Sequence, residues 1–410
     1  MKILWVKAGG LVPPDTGGKI RSYNILRELA RQHSVTFFSF YAAHEGDVHP
    51  DLKNIFERVV CLPLGLPAPK SLAEMRDYSL GLFSPQPYNI TKYCRPEVRR
   101  ELRQLLEREN YDVIVCDFLV AAGVIPWDAP TPKVIFTHNV EAAIWRRHYE
   151  VATNPIWRAI SWQEWRKMEA AERRYLRLAD HVLTVSETDR DAFASFLESE
   201  KLTVIPTGVD LDYFQPMPVQ ETANSLVFTG SMDWLPNEDG ILYFVEAILP
   251  LIKQQRPEVL LEVVGRTPSR KLQALAEREK SVHLTGWVED IRPFVARGQV
   301  CIVPLRIGGG TRLKIFEAMA MGKAVVSTSV GAEGLPVRHG ENILLADTPD
   351  DFARSVISLL RDSNRRKHLG AAARALVQEK YSWPKVAESF AHALRDVITR
   401  PRIPRSRQQL

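Results

Sequence analysis

Between Ile302 and Thr328 the chain reads IVPLRIGGGTRLKIFEAMAMGKAVVST, a stretch dense in residues that could do chemistry. An apolar strand ends at Pro304 and Gly308, Gly309 and Gly310 follow. Thr311, an N-cap residue type, then opens a helix carrying Arg312, Leu313, Lys314 and Glu317. Three glycines let a backbone approach a ligand closely, and the free amides of a helix start attract anions. Arg312 and Lys314 place two cations in the first turn, where the helix dipole favours acids. An anion of phosphate type, held by amides and side chains together, would resolve that conflict. The alternative is a solvated face with a Lys314–Glu317 ion pair worth roughly 0.2–0.5 kcal/mol. The glycine run favours the anion, because consecutive glycines weaken a helix start unless something needs the space.

Two further positions could join such a site. Gly17-Gly18 opens the first helix after the first strand, so its amides could face a phosphate or an acceptor; an ordinary strand-to-helix turn is the alternative. His138 ends the strand KVIFTH, at the ligand-binding end if the sheet is parallel, although a lone histidine is more often structural. Other chemistries lack their residues. GGGTRL has Leu313 where a dinucleotide fingerprint needs its third glycine, and Gly322-Lys323 is followed by Ala324 rather than Ser or Thr. No GxSxG or HExxH occurs, and Cys61, Cys94, Cys116 and Cys301 form no CxxC pair. No metal and no cofactor are expected.

The elements that must position these residues alternate. KILWV, SVTFFSF, DVIVCD, KVIFTH and HVLTVS in the first half, and LVFTG, VLLEVVG, VHLTG, VCIVPL, KAVVST and ILLA in the second, are short apolar runs between helical patterns. Runs this continuous predict parallel strands covered on both faces. Strand, glycine-containing loop and helix open each half. The first helix carries Ile20, Tyr23, Leu26 and Ala30 at helical spacing, and its counterpart carries Ile241, Phe244, Val245, Ile248 and Ile252. The expected fold is α/β: two Rossmann-like, doubly wound parallel-sheet domains, 1–205 and 206–382, facing a cleft. A helix over 383–398 packs back on the first, and 399–410 forms a basic tail. The 410 residues carry a formal charge of +5, but Arg400, Arg402, Arg405 and Arg407 supply most of it, so the body is nearly neutral and not built for nucleic acid. No apolar stretch reaches the roughly 18 residues of a transmembrane helix, and MKILWVKAGG is too short for a leader, so a cytoplasmic protein is expected. The Trp- and Arg-rich segment with Trp145, Trp157, Trp162 and Trp165 has two readings. One is a core helix, through the stripe Trp165, Met168, Ala171, Tyr175 and Leu178; the other is a peripheral contact with anionic lipid at the inner membrane face. The stripe favours the core.

The 302–328 segment resembles the glycosyltransferases of family 4, whose hallmark is a Glu, seven residues and a second Glu in a context like EGFGLPLLEAMA. Gly309 stands at the first Glu position, Gly310 at the Gly, Leu313 at the Leu and Glu317 at the second Glu. THNVE around His138, VLTVSETDR around Ser186, VIPTGVDLDYF at the domain junction and HLTGWVED around Gly286 extend the resemblance over nearly the whole chain. It implies the GT-B fold and a metal-independent transferase that retains anomeric configuration. The partners implied are a nucleotide-diphosphate sugar donor and a glycan, lipid-linked or small-molecule acceptor. It assigns His138 to the donor hexose, Gly17 and Gly18 to the ligand-facing loop, Glu317 to the ribose and the Val288 backbone to the base. Two departures stand out. Gly309 replaces the first Glu, and the family's GR…KG, whose cations hold the diphosphate, reads GSMDWLPNEDG, with Ser231 at the Arg and Asp239 near the Lys. Arg312 and Lys314 are the expected replacements. The competing classes are a nucleotide-sugar epimerase of the same architecture, a glycoside hydrolase, for which no convincing carboxylate pair is present, and a non-catalytic nucleotide-sugar binding protein.

Overall fold

The computed structural model describes residues 1–45, 51–69, 71–152, 154–307 and 313–400. Gly309, Gly310, Thr311, Arg312 and the tail beyond Arg400 lie outside the described residues. The chain divides into two compact units: Met1–Pro206 together with the segment from Val386 onward, and Thr207–Lys385.

In the first unit, β1 (Lys2–Ala8), β2 (Ser34–Ala42), β3 (Arg58–Leu64), β4 (Val113–Asp117), β5 (Lys133–Phe136), β6 (His181–Thr184) and β7 (Leu202–Val204) form one sheet. Its order is β3-β2-β1-β4-β5-β6-β7, and every pairing is parallel. The direction of winding reverses between β1 and β4. The apolar runs become strands because both faces are covered: Ile3, Leu4, Trp5 and Val6 are wholly inaccessible. The sheet also contains β3 and β7, which no apolar run announced. β3 is a half-exposed edge strand containing Pro63, a residue tolerated at edges, and β7 is three residues long.

The helix Gly17–Ala30 buries a face other than the expected one. Arg21, Ser22, Asn24, Ile25, Leu26, Glu28 and Leu29 are buried, whereas Ile20, Tyr23 and Ala30 are only partly covered. A buried polar cluster beneath the helix turns Arg21 inward. The helices Glu141–Val151 and Pro155–Leu178 form a hairpin whose second member is capped by Asn154, which accepts from the amides of Ile156 and Trp157. Met168, Ala171, Tyr175 and Leu178 are buried and Trp145 and Trp165 pack against the core, while Trp157 and Trp162 are exposed.

In the second unit, β8 (Ser225–Thr229), β9 (Leu260–Val264), β10 (Val282–Gly286), β11 (Val300–Val303), β12 (Val325–Ser327) and β13 (Leu344–Leu345) are parallel in the order β10-β9-β8-β11-β12-β13. Here the winding reverses between β8 and β11. Ile241, Phe244, Val245, Ile248 and Ile252 are all buried, but their helix is not continuous. Pro250 has no amide hydrogen to close on Glu246, and the chain widens into a π turn over Phe244–Ile248. The last helix, Trp383–Thr399, starts in this unit, where Trp383 lies so near Gly208 that a Cβ there would sit 2.5 Å from the indole. Its Phe390 belongs to the first unit, with ring centroids 5.3 Å from Trp5 and 5.2 Å from Phe136.

Candidate functional site

Each sheet presents candidate residues at the carboxyl ends of its strands, where parallel α/β sheets bind ligands. In the first unit these ends hold a charged network. Asp117 closes β4 with no exposure, and its Oδ2 accepts from Lys7 Nζ at 3.0 Å and from Trp5 Nε1 at 3.1 Å. Its Oδ1 lies 2.7 Å from His138 Nε2, and Arg21 Nη1 approaches His138 Nδ1 at 2.9 Å. Arginine can only donate, so Nδ1 accepts and the ring hydrogen sits on Nε2, donating to Asp117. Burial pushes the imidazole down to about 4 despite the Asp117 carboxylate, which keeps His138 neutral at pH 7. Burial works against ionising Asp117, yet the Lys7 charge and the His138 hydrogen bond hold its carboxyl well below the usual range. Burial also lowers Arg21, to about 10, against the charges of Asp189 and Asp117.

Phe118 continues from Asp117 with φ 66° and ψ 148°, a conformation that a bulky residue rarely adopts. Strain of roughly 1–3 kcal/mol survives only where the surroundings impose it, and it gathers at functional sites. Here the ring stacks on His138 with centroids 3.7 Å apart, lies 4.7 Å from Lys7 Nζ and packs against Gly18, where a Cβ would fall 2.5 Å from the ring. Gly18 is therefore required by packing; Gly17 is exposed beside it. Phe118, Thr137, His138, Asn139, Glu141 and Glu172 line a narrow cavity. Glu172 accepts from the amide of Ala142 at 3.2 Å and thereby caps the 141–151 helix, whose own Val140 offers no cap. Burial pushes the Glu141 carboxyl up to about 7 and the Glu172 carboxyl up to about 8.

In the second unit the loops after β8 and β9 touch through glycines. A Cβ on Gly265 would lie 1.8 Å from the Gly230 carbonyl oxygen, so Gly265 excludes a side chain. The amide of Gly230 donates to Val264 and that of Met232 to Arg266, both at 2.9 Å. Ser231 Oγ donates to Asp233 at 2.5 Å and accepts from Arg266 Nε at 2.9 Å. Lys314, in the helix Leu313–Ala320 that follows β11, reaches the same loop: Nζ donates to Asn237 Oδ1 at 2.8 Å and lies 3.9 Å from the Phe228 ring centroid. Asn237 Nδ2 in turn donates to the Ser231 carbonyl at 2.8 Å. One turn beyond Lys314, burial pushes the Glu317 carboxyl up to about 7, with the Lys314 charge pulling it down. Asp239 receives the Arg306 fork at 2.6 and 3.1 Å.

The structure thus brings Ser231 and Lys314 together at the reversal point of the second sheet, with Glu317 one turn further along the Lys314 helix, and sets His138, Gly17 and Gly18 at the strand ends of the first. Val288 follows β10 and is partly buried against the core, next to an exposed Trp287. Sequence reasoning missed Lys7, Asp117, Arg21, Arg266 and the Glu141–Glu172 pair. Lys7 inside an apolar strand and Asp117 at the end of VIVCD were the available signals, since a charge in a strand covered on both faces needs a partner. Among the described residues no three His, Cys, Asp or Glu side chains gather to hold a metal ion, and no helix is long and apolar enough to cross a membrane.

Two family models match: "Glycosyltransferase Family 4" over residues 16–213 and "Glycosyl transferases group 1" over residues 223–362. An MMP alpha-(1->4)-mannosyltransferase of Mycolicibacterium hassiacum is 29% identical over 263 residues, 62% of this chain and 63% of that protein. A GDP-mannose-dependent alpha-(1-6)-phosphatidylinositol monomannoside mannosyltransferase of Mycobacterium tuberculosis is 28% identical, over 53% of this chain and 62% of its own length. The match thus spans somewhat less than two thirds of either enzyme. Among solved structures, sucrose-phosphate synthase of Thermosynechococcus elongatus superposes with TM-score 0.72 at 18% identity, covering 97% of this chain and 99% of that one. Anabaena HepE in complex with UDP superposes with TM-score 0.68 at 17% identity, covering 97% and 100%. Both likenesses establish the two-sheet GT-B fold.

Proposed function

Because the chain belongs to the group 1 glycosyltransferases of family 4, we propose that it transfers a sugar from a nucleoside-diphosphate sugar to a glycan or lipid-linked acceptor with retention of anomeric configuration. The observation that carries the reading is Lys314, whose ammonium is drawn against the glycine loop at the reversal point of the second sheet. Departure of a nucleoside diphosphate requires developing negative charge to be met by positioned donors. Lys314 and Arg312 supply cations, and the backbone of Gly309, Gly310, Thr311 and Leu313 supplies close approach. Glu317 hydrogen-bonds the ribose hydroxyls, and the Val288 backbone faces the base. The buried Lys7–Asp117–His138–Arg21 network fixes the strand ends of the first unit, with Gly17 presenting helix amides to the acceptor side. His138 spends both ring nitrogens inside that network, so it acts by positioning Phe118 and Asn139. With side-chain cations in this role, turnover proceeds without a metal, and chelation with EDTA leaves it unchanged.

The hairpin of the first unit extends the reading to a lipid-linked acceptor. Val151, Ile156, Trp157 and Trp162 are exposed, Arg147 and Arg158 stay outside, Arg146 and Arg166 pair with Glu150 and Glu169 at the surface, and Glu164 and Glu172 turn inward. Apolar residues flanked by cations suit an anionic bilayer surface. Cosedimentation with phosphatidylglycerol vesicles, lost at high salt and in Ile156→Ser/Trp157→Ser, is expected; equal binding to phosphatidylcholine contradicts it.

A thermal-shift screen against UDP, GDP, ADP and their sugars tests the donor reading, because ligand stabilisation grows with concentration over Kd. At least one diphosphate and its sugars should raise the melting midpoint. The anomeric proton coupling of the product then separates retention from inversion.

A further inference from the structure

Two cations reach the Gly230–Ser231 loop from its two neighbours in the sheet: Lys314 from the β11 side and Arg266 from the end of β9. Arg266 is placed there by backbone. The Gly265–Gly230 contact and the paired amide bonds Gly230 to Val264 and Met232 to Arg266 lock the two loops together. Its Nε is then tethered to Ser231 Oγ at 2.9 Å, while the carboxylate that could have captured the guanidinium, Asp233, stands 3.9 Å away and takes the Ser231 hydroxyl instead. The amino groups Nη1 and Nη2 make no hydrogen bond among the described residues, and the side chain is 45% exposed. A guanidinium held by one edge presents the other two donors as a fork matched to a pair of phosphate oxygens. Arg306 offers a contrast. Its fork is already spent on Asp239, and its guanidinium lies over Tyr243.

We propose that Arg266, tethered through Ser231, grips the diphosphate of the nucleotide, with Lys314 as the second charge. The inference rests on the nucleotide-sugar reading above and deepens it: the anion site is assembled from the ends of β8, β9 and the helix after β11. Ser231 becomes the post that aims the arginine.

Calorimetric titration of the full chain with UDP, GDP and ADP, and with UMP, GMP and AMP, tests it. For the nucleotide that binds, Arg266→Gln should weaken the diphosphate about tenfold or more, a change of roughly 1.4 kcal/mol, and the matching monophosphate less than about twofold. Arg266→Lys should recover part of the loss, because charge remains and the fork is gone. Melting midpoints of both variants should match the wild type, because the position is exposed. A wild type that binds no diphosphate contradicts the nucleotide-sugar reading itself. A wild type that binds one, with Arg266→Gln binding it equally or losing monophosphate and diphosphate alike, overturns the assignment of Arg266 alone.

Discussion

Replacing Asp117 by alanine should be among the most damaging single changes in the first unit. The carboxylate accepts from Lys7, Trp5 and His138 at 2.7–3.1 Å, and all of these groups are buried. Removing it leaves the Lys7 ammonium, in a residue 3% exposed, without a counter-charge, which by comparison with broken buried pairs costs about 3–5 kcal/mol. Against a domain stability of roughly 5–15 kcal/mol, that is a large share. Asparagine should not rescue it. If its carbonyl serves His138, its amide hydrogens face the donors of Lys7 and Trp5, and turning it round sets them against the His138 Nε2 hydrogen, whose position Arg21 enforces. Urea unfolding followed by tryptophan fluorescence reads the effect. Lys7→Met should be milder, and the double variant should lose less than the sum of the two, since the partners are in contact. An Asp117→Ala variant losing less than about 1 kcal/mol would refute the network.

The first unit should also melt lower at pH 8 than at pH 6.5. Glu141 and Glu172 titrate near 7 and 8 instead of 4.5, so the stability they contribute is complete below their ordinary value and is lost as pH rises through the folded one. His138, lowered from 6.5 to about 4, runs the other way, but its contribution is complete above 6.5 and lost only as pH falls toward 4. Glu172→Gln, which keeps an acceptor for Ala142, should flatten the decline, and a midpoint that rises from pH 6.5 to 8 refutes the assignment. Glu317→Ala should weaken the bound nucleoside diphosphate about tenfold or more in a folded protein through loss of the ribose hydrogen bonds, measured by titration. Lys314→Gln and Arg312→Gln should each lower turnover by roughly 10²–10³, as loss of an oxyanion donor does; wild-type rates in both would refute their part in the transfer. Gly265→Ala should open the β8–β9 loops and weaken diphosphate binding, because its Cβ meets the Gly230 carbonyl.

Strand positions were legible because parallel strands covered on both faces must be apolar end to end, as Ile3–Val6 and Val300–Val303 are. The edges β3 and β7 were not, since half-exposed or three-residue strands carry little pattern. The buried face of the first helix was misread for a related reason. Arg21 and Asn24 face inward toward partners more than a hundred residues away or a turn behind, and hydrophobic spacing is blind to polar burial. At the second sheet, the missing family cations were visible in the sequence and Lys314 was identified as a replacement, but Arg266 was not. VVGRTPSR reads as a plain turn, and only the contact of Gly265 with Gly230 reveals that its arginine stands at Ser231. The Glu141–Glu172 pair is likewise brought together by the packing of two helices that no local spacing encodes.

The most direct test of the account is nucleoside-diphosphate release measured with each donor sugar that stabilises the protein, in the presence and absence of glycan and lipid-linked acceptors. The account predicts acceptor-dependent release, with a product whose new linkage keeps the donor's anomeric configuration. Donors that bind tightly yet release no diphosphate with any acceptor would contradict it and leave a binding protein in place of an enzyme.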